Sequence, residues 1–310
     1  MVQLSILLTL LATPAVLARE RLTPYLVPDS VENTGIAVIV CPGGSYSWHD
    51  MQTEGVAVAR WLNQNGINAY VLRYRVAGVP AYIFGYRVLG IGHRWPEPLE
   101  DVLDALNYVY AHADEHHVDT ARIGVMGFSA GGHLTMSSYC YNPSFRDSVT
   151  PSFRPKFLAP IYPVVTFRDD ATPPASTSDS STLTANRSSL NRRVPLPHAR
   201  SRRAALGVWQ QWDMTLRDSL SIELHIGPDC PPTFLVACQD DPTVRYENSL
   251  LLDSALSANH VPHTFLLFRT GGHGFGASDT KGSPECRTWR PRFIDWVKGL
   301  FFTSKDEKID

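Results

Sequence analysis

Five residues constrain this 310-residue chain more than any others: Gly127-Phe128-Ser129-Ala130-Gly131. Arg122 to Phe128 is a largely apolar run and Ala130 to Tyr141 reads as a helix, so the serine falls on a strand-to-helix turn. Such a turn wants small residues two before and two after the serine, because a Cβ there meets neighbouring backbone. It lifts the hydroxyl above the sheet and sets a helix amino terminus beneath it, where partial positive charge favours a developing oxyanion. A glycine-rich turn that binds phosphate is the rival explanation, but no Gly-x-Gly-x-x-Gly or Walker pattern is present.

The surrounding rhythm agrees with that turn. Gly35 to Cys41 and Ile67 to Val76 read as strands, and Glu54 to Asn65 as a helix ended by Gly66. Pro98 to Glu115 reads as an amphipathic helix, with Leu99, Val102, Leu106 and Val109 at helical spacing. Lys156 to Val165 is a short strand broken by two prolines. Thr233 to Cys238, Val244 to Asn259 and His263 to Arg269 give strand, helix, strand. A last helix over Cys286 to Phe302 places Trp289, Phe293, Trp296, Val297 and Leu300 on one face. This alternation predicts an α/β chain with a mostly parallel central sheet and helices on both faces.

Asp169 to Arg200 breaks the rhythm. It is rich in Ser, Thr, Pro and Arg, without the periodicity that buries a core face, and is expected to be a solvated insertion within one domain over 19–310. Within it, Asn186-Arg187-Ser188 is a candidate glycosylation sequon. At the other end, the first 18 residues carry no charged side chain, are mostly apolar from Leu4 to Leu11, and close on Val16-Leu17-Ala18. A signal peptide over 1–18 and secretion are therefore expected, against the alternatives of a buried amphipathic helix or a membrane anchor. No stretch approaches the ~20 apolar residues of a spanning helix.

A formal charge of −2 gives no electrostatic reason to expect nucleic acid. Five cysteines fit one or two disulfides with at least one free thiol, although Cys41 and Cys238 lie in apolar runs that suit buried thiols. None has zinc-site spacing. His112, His116 and His117 lack the carboxylate that accompanies a helical metal motif and read as a solvated helix end; no metal or cofactor is expected.

A serine hydroxyl is a weak nucleophile until a base accepts its proton. Behind a strand–Ser–helix turn the acid and then the histidine follow along the chain. The candidate base is His273, in Gly271-Gly272-His273-Gly274-Phe275-Gly276, directly after the last core strand. Two carboxylates compete as its partner, Asp240 and Asp241. Pro242 biases Asp241 toward extended backbone, which suits a side chain projecting from a strand end, and the other aspartate is left to cap a turn or helix. Cys41-Pro42-Gly43-Gly44-Ser45-Tyr46 follows the first clear strand as a glycine-rich turn able to lend backbone N–H groups to an oxyanion, with Ala130 supplying another. His133, one turn past the serine, reads as a packing or hydrogen-bonding residue. Tyr82, Phe84, Tyr86 and Trp95 are either core or one wall of a pocket.

Together these segments, with Arg73-Tyr74-Arg75, Pro98-Leu99-Glu100-Asp101, Pro231-Pro232-Thr233-Phe234-Leu235 and Glu247-Asn248-Ser249, resemble the carbohydrate esterase-like α/β hydrolases, acetylxylan esterases above all. The resemblance runs from about Gly35 to Leu300. It implies the α/β-hydrolase fold, Ser129 as nucleophile, Asp241 as acid, His273 as base, and Gly44, Ser45 and Ala130 as oxyanion donors. The expected substrate is an acetylated carbohydrate or another small ester, with Tyr46 and Trp48 either flat faces on which a sugar ring stacks or core residues. Two departures stand out: Ser45 occupies the place of a third glycine, and the family lacks most of the 169–200 stretch. A small amide hydrolase of prolyl-peptidase or formamidase type, and a non-catalytic binding module, are the competing expectations. The first would favour amide substrates, and the second usually loses a triad member.

Overall fold

The computed structural model describes residues 21–79, 92–142, 153–173 and 196–302. The expected signal peptide, the Asn186 sequon, and Tyr82, Phe84 and Tyr86 lie outside the described residues. Among the described residues seven strands form one sheet: β1 (Leu22–Tyr25), β2 (Ala37–Cys41), β3 (Asn68–Leu72), β4 (Ile123–Phe128), β5 (Leu158–Ile161), β6 (Thr233–Cys238) and β7 (His263–Phe268). Their spatial order is β1-β3-β2-β4-β5-β6-β7. Only β1 is antiparallel, pairing Leu22 with Leu72 and Tyr25 with Ala69.

Every residue of β2, β3, β4 and β6 is buried. Continuous apolar strands are what a parallel sheet covered on both faces requires. Along β2 the side chains alternate: Ala37, Ile39 and Cys41 enter one core, and Val38 and Val40 the other. The first core is closed by α2 (Glu97–Ala111), α3 (Ala130–Cys140) and α6 (Glu247–Ala258); the second by α1 (Ala57–Gln64) and α7 (Trp289–Phe301). On α7, Trp289, Phe293 and Val297 are buried and Trp296 packs beside them, whereas Leu300 is exposed.

The chain leaves β2 toward β3 on one side, and β4 then pairs on the other side of β2. A crevice opens at the carboxyl ends of strands where the order reverses in this way, and ligands bind there in open α/β sheets. The turn after β2 and Ser129 after β4 face each other across it.

Several expectations need correction. The helix expected from Glu54 begins earlier, as a π-helical turn over Met51–Val56 capped by Asp50, whose side chain accepts from the Thr53 N–H at 3.0 Å. The carboxyl end of the 169–200 stretch is packed, and the other end, exposed at Asp169 and Asp170, is tied to it by ion pairs. Leu196 and His198 are buried, α4 (Ala199–Leu206) starts inside it, and Asp169 binds Arg202 at 2.7 Å and Arg217 of α5 (Met214–Ser219) at 2.6 Å. All five cysteines are buried free thiols, and Cys238 and Cys286 lie against each other without a disulfide. His116 is not solvated: its Nδ1 lies 2.9 Å from the Tyr70 hydroxyl. Among the described residues no helix is long and apolar enough to cross a membrane.

Candidate active site

Ser129 caps α3 with φ 55° and ψ −116°. Such backbone costs a non-glycine residue roughly 1–3 kcal/mol and persists only where its surroundings enforce it. Here they do. The Ser129 N–H donates to the Ile161 carbonyl at 3.0 Å, and its own carbonyl accepts from Gly132 at 3.0 Å and Val164 at 3.1 Å. A Cβ on Gly131 would strike the Cys41 carbonyl oxygen, and one on Gly127 the Gly131 carbonyl. The spacing of small residues around the serine is thus set by how tightly α3 packs on β2 and β4.

His273, in the loop after β7, brings its Nε2 to 2.9 Å from Ser129 Oγ. Its Nδ1 lies 2.6 Å from Oδ2 of Asp241, which is 2 % exposed. The carboxylate can only accept, so Nδ1 carries the proton and Nε2 is left to receive one from the serine hydroxyl. The other Asp241 oxygen accepts from the backbone N–H of Thr243 at 2.8 Å and Val244 at 2.9 Å. Asp240 points elsewhere, accepting from Gly271 at 3.2 Å and Gly272 at 2.9 Å, and so caps the histidine loop. Burial pushes the His273 pKa down, but the Asp241 carboxylate by charge and hydrogen bond, and Glu54 by charge, bring it above the ordinary histidine value.

The turn after β2 folds tightly. Gly44 has φ 143°, Ser45 φ 56° and Tyr46 φ 57°, and the Gly44 carbonyl accepts from Ser47 at 2.9 Å and Trp48 at 3.1 Å. The Tyr74 hydroxyl donates to the Pro42 carbonyl at 2.7 Å and holds the turn from below. Next to it, Arg75 is fixed by Asp101 through its backbone N–H at 2.6 Å and its Nε at 3.0 Å. The backbone N–H groups of Gly44, Ser45 and Ala130 have no hydrogen-bond partner among the described residues.

Tyr46, expected as a flat face for a sugar, is 1 % exposed, and its hydroxyl donates to His133 Nδ1 at 2.7 Å. His133 in turn donates from Nε2 to the Leu220 carbonyl at 2.8 Å, and burial drives its pKa down to about 4. Trp48, the other expected face, is 53 % exposed. Trp95 packs on His133 and Tyr141 as part of the core. His198 lies near enough to His273 that, after burial, the histidine's charge helps push its pKa to about 4.

Sequence reasoning missed Glu54 and Tyr162. Glu54 reads as the polar start of a helix, yet it is 3 % exposed and accepts from the Gly43 N–H and the Tyr162 hydroxyl. No local pattern signals this, because Tyr162 is 108 positions away.

The fold and the hydrogen-bonded Ser–His–Asp arrangement define an α/β hydrolase. The chain belongs to the BD-FAE family, whose model matches residues 26–256. It is 31% identical to an acetyl ester-xyloside bifunctional hydrolase from Caldicellulosiruptor lactoaceticus, with a TM-score of 0.70 over 91% of this chain and 89% of that one. It is 28% identical over 261 residues to endo-1,4-beta-xylanase B of Butyrivibrio fibrisolvens, covering 82% of this chain and 34% of that protein. Over 117 residues it is 34% identical to an acetylxylan esterase of Xylanibacter ruminicola, covering 36% and 22%. The chain therefore spans about a third or less of the length of those two curated relatives.

Proposed function

We propose that this chain is a serine carboxylic ester hydrolase that removes acetyl groups from a carbohydrate through an acyl-enzyme. The observation that carries the reading is the continuous hydrogen-bonded path from Ser129 Oγ through His273 to Asp241. Ser129 Oγ attacks the ester carbonyl as its proton passes to His273 Nε2, and Asp241 stabilises the imidazolium. The N–H groups of Gly44, Ser45 and Ala130 receive the oxyanion. His273 then returns the proton to the departing sugar hydroxyl. Water repeats the cycle on the acyl-serine and releases acetate.

Acetylated carbohydrate as substrate draws support from two sides. A solved acetyl ester-xyloside hydrolase shares the fold at about a third of positions identical, and an acetylxylan esterase matches over 117 residues. Trp48, exposed beside the oxyanion turn, offers an indole face on which a sugar ring stacks. A lipase-like site would instead gain ~0.8 kcal/mol of binding per buried methylene.

The test is kcat/KM for p-nitrophenyl esters of increasing acyl length beside acetylated xylan, with a peptide amide and a formanilide as controls. Acetyl esters are expected to exceed esters of eight or more carbons. Trp48→Ala is expected to raise KM for the polysaccharide several-fold, about 1 kcal/mol for a lost stacking contact, and to leave p-nitrophenyl acetate unaffected. Rates climbing with acyl length, or amide cleavage outrunning acetyl ester cleavage, would overturn the substrate assignment. A wild-type protein that neither turns over ester nor takes a fluorophosphonate label would be a binding module.

A further inference from the structure

Glu54 is a buried carboxylate with no lysine or arginine paired to it among the described residues. Both of its oxygens accept: Oε2 from the Gly43 N–H at 2.7 Å, Oε1 from the Tyr162 hydroxyl at 2.9 Å. The Tyr162 oxygen in turn accepts from the Gly276 N–H at 3.0 Å. One side chain thereby joins the turn after β2, the end of β5 and the far side of the histidine loop. The neighbouring backbone repeats the link, since Ala277 N–H donates to the Thr53 carbonyl at 3.2 Å. Gly43 lies between Glu54 and the nucleophile: a Cβ there would sit 2.7 Å from Glu54 Oε2 and 2.9 Å from Ser129 Cβ. The Tyr162 ring lies against the His273 imidazole, centroids 4.7 Å apart.

An unpaired buried carboxylate is costly, so something must compensate for it. Two hydrogen-bond donors do so in part. The remaining groups that face it are Asp50, Tyr74 and His273. Of these only His273 becomes a cation, whether it takes the serine's proton or is protonated from solvent.

We propose that Glu54 is a positioning residue that ties the oxyanion turn to the histidine loop and supplies a second buried negative charge for the imidazolium of His273. This rests on the serine hydrolase reading above. Two effects follow. The distance between the oxyanion donors and the base is fixed through Gly43, Glu54, Tyr162 and Gly276. The charge on His273 is favoured, in keeping with the upward push that Glu54 gives its pKa against burial. Burial pushes the Glu54 carboxyl up as well, against the pull of His273, Tyr162 and Gly43.

The experiment uses Glu54→Gln and Tyr162→Phe in the full chain, with thermal unfolding as a control. Glutamine keeps the shape, accepting from Gly43 and donating to the Tyr162 oxygen, but carries no charge. With p-nitrophenyl acetate, E54Q is expected to lose kcat by about 10- to 100-fold, less than the loss of an oxyanion donor itself, with KM little changed. The acid limb of kcat/KM should move down by roughly half a pH unit or more, because a neighbouring anion no longer favours protonated His273. Y162F keeps the charge and cuts the tether, so kcat should fall while the acid limb stays. A purely structural Glu54 would lower Tm without moving the limb. Wild-type kcat and an unmoved limb in E54Q overturn the proposal; if E54Q does not fold, wild-type kcat in Y162F overturns it. Should wild-type protein not hydrolyse the ester, the pH dependence of fluorophosphonate labelling carries the same comparison. Absence of labelling as well overturns the functional reading and this proposal together.

Discussion

Replacing Ser129 by alanine is expected to lower kcat for acetyl ester hydrolysis by about 10⁶-fold, the scale seen when one member of such a triad is removed. The loss is this large because in the proposed mechanism Oγ is the attacking atom, and it is also the donor to His273 Nε2. Without it only the oxyanion donors and substrate binding remain, and water must attack unaided. The fold should survive. Alanine bears the 55° φ at a cost similar to serine's, and the backbone bonds to Ile161, Gly132 and Val164 do not involve the side chain. Stability should change by no more than about 1 kcal/mol. The check is kcat of purified protein beside a fluorophosphonate label and a thermal melt. A variant that keeps more than about 1% of wild-type turnover, against the 10⁶ expected, would remove Ser129 as the nucleophile.

Asp241→Asn is expected to reduce kcat by ~10⁴-fold, and the hydrogen bonds explain why a near-isosteric change does so much. One carboxylate oxygen is held by the Thr243 and Val244 N–H groups, which demand an acceptor. Asparagine must therefore offer its carbonyl to them and turn its NH₂ toward His273 Nδ1. That nitrogen then has to accept, its proton moves to Nε2, and Nε2 can no longer take the serine's proton. Asp240→Asn should cost less than about tenfold, since it removes one of two exposed contacts to Gly271 and Gly272 and leaves the tautomer alone. Equal losses in the two variants, measured as kcat at a pH well above the acid limb, would mean that the wrong carboxylate holds the histidine.

The parts of this arrangement that sequence reveals are those governed by neighbours along the chain. Ser129 is legible because the strand before it, the helix after it and the glycines two positions away all act locally. Asp241 is separable from Asp240 because Pro242 restricts only the residue before it. What escapes is decided by contacts distant in sequence. β1 is four residues with Pro24 in the middle and only Leu22 buried, so nothing but its pairing with β3 makes it a strand. α4, Ala199–Leu206, carries three arginines and looks solvated until Arg202 meets Asp169 and Ala204, Ala205 and Leu206 join the first core. Tyr46 looks available to ligand until His133, 87 positions on, claims its hydroxyl. Glu54 looks like a helix start for the same reason.

The bridge that Asp169 makes to Arg202 and Arg217 has a consequence for how this chain can change over evolutionary time. The two guanidiniums are almost wholly buried, at 8 % and 4 % exposure, and they share one carboxylate at the foot of the stretch that follows β5. The two described flanks of the stretch, at Asp169 and at Arg202, are thus held at one closed base. For a segment with fixed ends, the entropy of closure grows only with the logarithm of its length, ~0.6 kcal/mol for each doubling. A change of chain length between those flanks is therefore expected to cost little in folding terms and to leave the strands, the serine turn and the histidine loop undisturbed. The clamp makes this a place where length can be acquired without renegotiating the sheet.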